Sequence, residues 1–329
     1  MGIMSFAEVM DESIEILKKH FKTIVLFKLA YGVVYMMAAV VLSIAGVLII
    51  SLFSGFSSGS NFPNIVVMVI LGVFFLSIIT SLALSSNIGV IKIAGQRYTD
   101  EEIYTAEALK YSFRSILRVF GIVIITIILL IPAAIVFGGL LYFLYKNYKY
   151  IFFVNMSFDL NGIFPLILLV ILFLVGTMVF TAYTTWLGFS LHAVAIENKG
   201  VIESVERSFY LVKNNFWRLF KYGIIIFLSI SAIQFSISSL FGIILSLFYL
   251  VLKLLNMQQD VMAYVTLAAT YIRWPLNLIS WLLTSPIGTI MTTLIYFNQR
   301  FIKEGFDVEI MISKLERERE NNKSREVIV

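Results

Sequence analysis

The chain has 329 residues, 60% of them hydrophobic and 14% charged, with a mean hydropathy of +0.93 and a formal net charge of +5. That balance excludes an ordinary soluble domain and points to a polytopic membrane protein. The absence of cysteine excludes disulfides, thiolate metal sites and cysteine nucleophiles.

In chain order, the first element is a charged helix, AEVMDESIEILKKHF from Ala7. Acidic residues precede its first lysines, and the apolar run behind it is longer than the ~7–15-residue core of a signal peptide, so the first span is expected to be retained. Runs of about 20 apolar residues suffice to cross a ~30 Å hydrocarbon core. Six are predicted, at 23–54, 65–91, 119–145, 164–196, 219–252 and 274–297. Of the 25 Lys and Arg residues, 21 fall in 1–28, 92–118, 197–221 and 300–329, and four in the alternate segments. By the positive-inside rule the chain is expected to be a multi-pass protein of the cell (cytoplasmic) membrane, with both termini and the loops near 100 and 200 in the cytoplasm. The positive charge is thus a topology signal, and no nucleic-acid partner is expected.

Three segments share one register without gaps: AEVMDESIEILKKHF from Ala7, AEALKYSFRSILRVF from Ala106 and IESVERSFYLVKNNF from Ile202. Glu8, Glu107 and Glu203 align, as do Ser13, Ser112 and Ser208, and Phe21, Phe120 and Phe216. Downstream, Gly89, Gly188 and Gly288 keep nearly the same spacing. The expected architecture is therefore all-α, with six transmembrane helices in three pseudo-repeats at 6–100, 105–199 and 201–307. Each repeat reads as an interfacial amphipathic helix followed by a transmembrane hairpin. In the third, Val201, Val205, Phe209, Val212 and Phe216 recur at helical spacing opposite Glu203, Glu206, Arg207 and Lys213. Residues 1–310 form a single membrane domain in this reading. Residues 311–329 form a charged cytoplasmic tail, a solvated helix fraying into disorder.

Aligned carboxylates can bind metals or move protons, but Ser5-x-x-Glu8 is a capping box, and a Glu at the third helical position suits the helix dipole in all three copies. The aligned serines are expected to permit close helix approach, the phenylalanines to anchor each helix where it enters its span. No acidic residue falls inside a predicted span, which argues against a carboxylate proton relay or buried ion site. His20 and His192 are expected at the interface. Without a nucleophile–base grouping, metal cluster or phosphate loop, no catalytic, metal or cofactor residue is assigned. Small polar residues do recur at three- or four-residue steps: Ser77, Ser81 and Ser85; Thr177, Thr181 and Thr184; Ser231, Gln234 and Ser238; Ser285, Thr289 and Thr292. Helix packing is the preferred explanation, a polar cavity the alternative, and Ser81, Thr181 and Gln234 are the intramembrane positions that decide between them.

The run Ala195-Ile196-Glu197-Asn198-Lys199-Gly200, then Arg207-Ser208, Leu211 and Phe216-Trp217-Arg218, with Tyr296, Arg300 and Glu304-Gly305-Phe306-Asp307, resembles the membrane domain of some bacterial glycerophosphoryl diester phosphodiesterases, in its stand-alone form. The resemblance implies a multi-span domain in a phospholipid-related setting. The catalytic barrel has no counterpart here, so no phosphodiesterase activity carries over. Asn298 and Ile302 stand where the resemblance leads one to expect an Asp and an Arg, four apart on a helix, which fits an absent ion pair. The expectation is a non-enzymatic, lipid-facing or scaffolding component of phospholipid or envelope homeostasis, with membrane lipids and an unidentified membrane protein as partners. The alternative is a transporter or lipid translocator with a polar path between the repeats.

Overall fold

The structure, a computed structural model, describes residues 4–56, 62–98, 102–153, 160–254 and 261–305, together with 308 and 312. The expected external loops near 60, 155 and 260, and the tail beyond 310 apart from Ile312, lie outside the described residues. In chain order the helices are α1 Phe6–Lys19, α2 Phe21–Phe56, α3 Phe62–Gly95, α4 Thr105–Arg114, α5 Ile116–Phe153, α6 Leu160–Leu187, α7 Ser190–Glu197, α8 Val201–Val212, α9 Phe216–Leu254 and α10 Val261–Glu304. No strand occurs among the described residues. Six stretches are long and apolar enough to cross a membrane: Phe21–Ile49, Val66–Gly95, Ile116–Asn147, Ile167–Glu197, Phe216–Val251 and Asn277–Glu304. Large apolar side chains on these helices remain exposed, Ile135 at 68% and Phe235 at 75% for example, as suits helices solvated by acyl chains.

The chain divides into two compact units whose boundaries fall inside α2, α3 and α9 and between α4 and α5. The first comprises 1–37, 86–114 and 224–329. Here α1 packs on α10, burying Val9, Ser13 and Ile16 at helical spacing. Its core continues through Ile24, Phe27, Ile88, Ile91, Ile290, Leu294 and Phe297. The Tyr98 ring covers this core, its centroid 4.2 Å from that of Phe297.

The second unit comprises 38–85 and 115–223. In it α8 packs against α5, α6 and α7. Its inward face is Ser204, Val205, Ser208, Leu211 and Val212. Of the apolar line read from the sequence, Val205 and Val212 are therefore buried, whereas Phe209 is 37% exposed. The helix is rotated so that its small residues meet its neighbours, and Phe209 instead stacks on Trp186, which also stacks on Phe216. The sequence reading also ran one unbroken span through 164–196. The structure breaks it at Gly188–Phe189, between α6 and α7. A Cβ on Gly188 would lie 2.6 Å from the Thr184 carbonyl oxygen, so the tight turn requires glycine.

Candidate functional site

The aligned glutamates all act on the backbone at the start of their helices. Ser5 N–H donates to Glu8 Oε2 at 2.7 Å while Glu8 N–H donates to Ser5 Oγ at 3.3 Å; Tyr104 N–H donates to Glu107 Oε2 and Gly200 N–H to Glu203 Oε2, each at 3.2 Å. A carboxylate used this way satisfies an orphan donor and sits well in the dipole field. The aligned serines are fully buried. Ser13 Oγ donates to the Met10 carbonyl at 2.7 Å and Ser208 Oγ to the Trp186 carbonyl at 2.6 Å, whereas the buried Ser112 hydroxyl has no hydrogen-bond partner among the described residues. Phe21 and Phe216 are the first residues of α2 and α9. Phe120 lies inside α5, edge-on to Phe74, because α4 and α5 part earlier, at Ser115. Gly89 and Gly288 mark close helix contacts: a Cβ would collide with the Phe27 ring at Gly89, and would lie 2.7 Å from Ile230 Cδ1 at Gly288.

The hydroxyl stripes of α3 and α6 are satisfied within their own helices. Ser77, Ser81 and Ser85 donate to the carbonyls of Val73, Ile78 and Ser81 at 2.6–2.7 Å, and Thr177, Thr181 and Thr184 to those of Phe173, Thr177 and Thr181 at 2.8–2.9 Å. Gln234 lies on the exposed side of α9, and its Nε2 donates to Thr284 Oγ1 across to α10 at 3.2 Å. Ser81 is buried and Thr181 half-buried. Ser81 and Thr181 belong to the second unit and Gln234 to the first.

The charged residues of the resemblance motif also act locally. Arg207 Nη2 lies 2.9 Å and Lys199 Nζ 3.1 Å from Glu197, Arg118 donates to Asn198, and Arg300 pairs with Glu304 at 3.1 Å. Asn298 is 1% exposed: Met4 N–H donates to its Oδ1 at 3.2 Å, and its Nδ2 donates to the Met4 carbonyl at 3.0 Å. His192, expected at the interface, is buried in α7, with Nδ1 3.2 Å from the Gly188 carbonyl and its ring edge-on to Phe189. The break after Gly188 carries it inward.

One functional candidate escaped the sequence reading. Lys28 lies within α2 and is 1% exposed. Its Nζ donates to Ser86 Oγ at 3.2 Å, and to Asn87 Oδ1 and Ser285 Oγ at 3.4 Å, and stands 5.5 Å from the centroid of the Trp281 indole. Thr289 Oγ1 also donates to Asn87 Oδ1, at 3.4 Å. Among the described residues no carboxylate pairs with Lys28. Its signal in the sequence is a single lysine eight positions into a long apolar helix, which charge counting alone groups with the cytoplasmic residues.

A second polar feature of the first unit is a cleft of about 590 Å³ lined by Glu12, Glu15 and Lys19 of α1, His20 just after it, Thr23 of α2, Ala94 of α3, and Gln96, Arg97, Glu102, Ile103 and Tyr104. Glu12 pairs with Arg97, Gln96 Nε2 donates to the Ile103 carbonyl at 2.8 Å and Tyr104 Oη donates to Glu102 at 2.8 Å. Burial, and then the Lys19 ammonium, hold the His20 imidazole below its ordinary range; the hydrogen bond to Glu102 pushes the Tyr104 phenol up. Glu12–Arg97 is the ion pair shown within the cleft. No group of three or more His, Asp or Glu residues able to hold a metal occurs among the described residues.

Among the described residues helices alone occur, six of them with the length and apolarity of membrane spans, the make-up of a multi-pass α-helical membrane protein. Residues 97–296, more than half of the chain, match the family described as a domain of unknown function, DUF7847, and the chain belongs to that family. No curated protein and no solved structure matches it.

Proposed function

We propose that the protein is a non-enzymatic integral membrane component that is lipid-facing or acts as a scaffold, in the phospholipid or envelope setting implied by the resemblance to the phosphodiesterase-associated membrane domain. The observation that carries this reading is the local satisfaction of the hydroxyl stripes. Ser81 and Thr181 spend their protons on carbonyls of their own helices, and Gln234 ties α9 to α10, so these groups serve packing and present no unpaired donor row to a solute. In this reading α1, α4 and α8 each open one of three pseudo-repeats, with charged residues toward the cytoplasm and the following hairpin in the cell membrane. The matching glutamate contacts at the three helix starts and the buried serines support that arrangement. The buried Lys28 would also suit the translocator alternative, as part of an anion path.

Two measurements on the cysteine-free chain separate the readings. Single cysteines at Ser81, Thr181 and Gln234 should resist a small water-soluble thiol reagent until denaturant is added. In proteoliposomes, a fluorescent phospholipid should redistribute between leaflets no faster than in protein-free vesicles. Rapid labelling at all three positions with accelerated redistribution would replace the scaffold by the translocator.

A further inference from the structure

We propose that Lys28 and the half-exposed polar rim around it form a binding site for a phosphate-type anion, such as the headgroup phosphate of an anionic lipid. This inference goes beyond the scaffolding reading and stands without it, because a bound headgroup is compatible with either a static or a transporting protein.

The first reason is the charge balance. A buried ammonium in a membrane span costs several kcal/mol unless it is paired or solvated. The partners of Lys28 are two hydroxyls and an amide, all neutral, at 3.2–3.4 Å, beyond the usual 2.9–3.0 Å for such bonds. They hold the ammonium loosely and cancel none of its charge. The Trp281 ring adds a cation–π attraction, again without a counter-charge.

The second reason is access. Lys28 is buried, but Asn87, Ser285 and Thr289 are half-exposed and Trp281 is 43% exposed, so a polar rim opens outward beside the charge. Those three side chains carry hydroxyl or amide protons, the donors a phosphoryl oxygen requires.

The third reason is depth. Lys28 stands seven residues from the start of α2 and Asn87 eight from the end of α3, about 10–12 Å along each axis. Spans of 29 and 30 residues are about 45 Å long, close to the full thickness of core plus headgroups. The ammonium therefore lies within a lysine side chain's reach of the phosphate level. Finally, the cation is particular to the first of the three aligned segments: in their shared register Ile127 and Gly223 stand where it has Lys28.

The test is native mass spectrometry of the purified full-length protein from micelles of phosphatidylcholine containing phosphatidylglycerol, with a parallel thermal-shift series in inorganic phosphate alone. Wild type should retain one phosphatidylglycerol. Lys28→Met should lose it by about tenfold in occupancy, the worth of one charge-assisted contact, while Lys28→Arg retains it. Lys22→Met, which removes an equal charge from an exposed position at the start of the same helix, should behave as wild type. Stabilisation by inorganic phosphate that vanishes in Lys28→Met, without retained lipid, would assign the same site to a free anion. Equal retention by wild type and Lys28→Met overturns the proposal, as does equal loss in Lys22→Met, or a wild type that responds to neither ligand. Should Lys28→Met fail to fold, Asn87→Leu decides, since it keeps the charge and covers the rim with hydrocarbon: undiminished binding there overturns the proposal too.

Discussion

At the scale of single residues, Asn298 shows how an apparent departure from a motif becomes a structural device. Its amide accepts from Met4 N–H and donates to Met4 C=O, matching both polar groups of one residue's main chain, and it is buried on α10. A carboxylate has no proton to give that carbonyl and carries a charge, and among the described residues no cation bonds to Asn298. Asn298→Ala is expected to cost about 1–3 kcal/mol, the price of unsatisfied polar groups, and Asn298→Asp about 3–5 kcal/mol, the scale of an unpaired buried charge. Unfolding in detergent at neutral pH measures both, and equal loss in the two variants would show that the proton donated to Met4 is irrelevant. Lys28 teaches the complementary lesson. A lone lysine near the end of an apolar run is ordinary in composition and in charge counting; only the convergence of Ser86, Asn87 and Ser285 from two other helices distinguishes it, and those residues are 58 to 257 positions away along the chain.

Among the elements, the six spans were legible because burial in lipid demands long unbroken apolar runs. The short helices α1, α4 and α8 fall where charged segments with a glutamate near the start stand beside those apolar runs. What periodicity could not show was which side of α8 faces inward. Ser204 and Ser208 rank as polar on any scale, yet they are buried because a small side chain lets α8 approach α5, α6 and α7, while Phe209 finds its contact on Trp186 instead. The break between α6 and α7 was equally hidden, since Gly188-Phe189 continues the apolar run and the tight approach to the Thr184 carbonyl exists only in three dimensions. From this packing, Ser208→Phe or Ser112→Phe should overfill a fully buried position and lower stability by about 1–3 kcal/mol. Glu107→Gln should be milder, because an amide oxygen can still accept from Tyr104 N–H at an exposed site. The melting temperatures of the purified variants give the order, and a Glu107→Gln effect as large as that of Ser112→Phe would make the glutamate more than a cap.

For the molecule as a whole, orientation in the bilayer follows from charge. Moving Lys and Arg across an apolar core is costly, so the 21 basic residues of 1–28, 92–118, 197–221 and 300–329 are expected on one side, and the segments near 60, 155 and 260 on the other. An even number of crossings, such as the six candidate spans among the described residues would make, returns a chain to the side on which it began. The helix lengths fit this path, because even the 28-residue stretch Asn277–Glu304 is about 42 Å long, enough to pass through core and headgroups. Because the chain contains no cysteine, the experiment has no background from native thiols. Single cysteines at Ser58, Asn155 and Gln258 should react with a membrane-impermeant thiol reagent in intact cells, whereas one at Lys323 should react only after permeabilisation. Labelling at Lys323 in intact cells, with silence at the other three, would invert the protein in the membrane. Under that inversion the charge asymmetry would need another cause, and the rim around Lys28 would face the opposite leaflet.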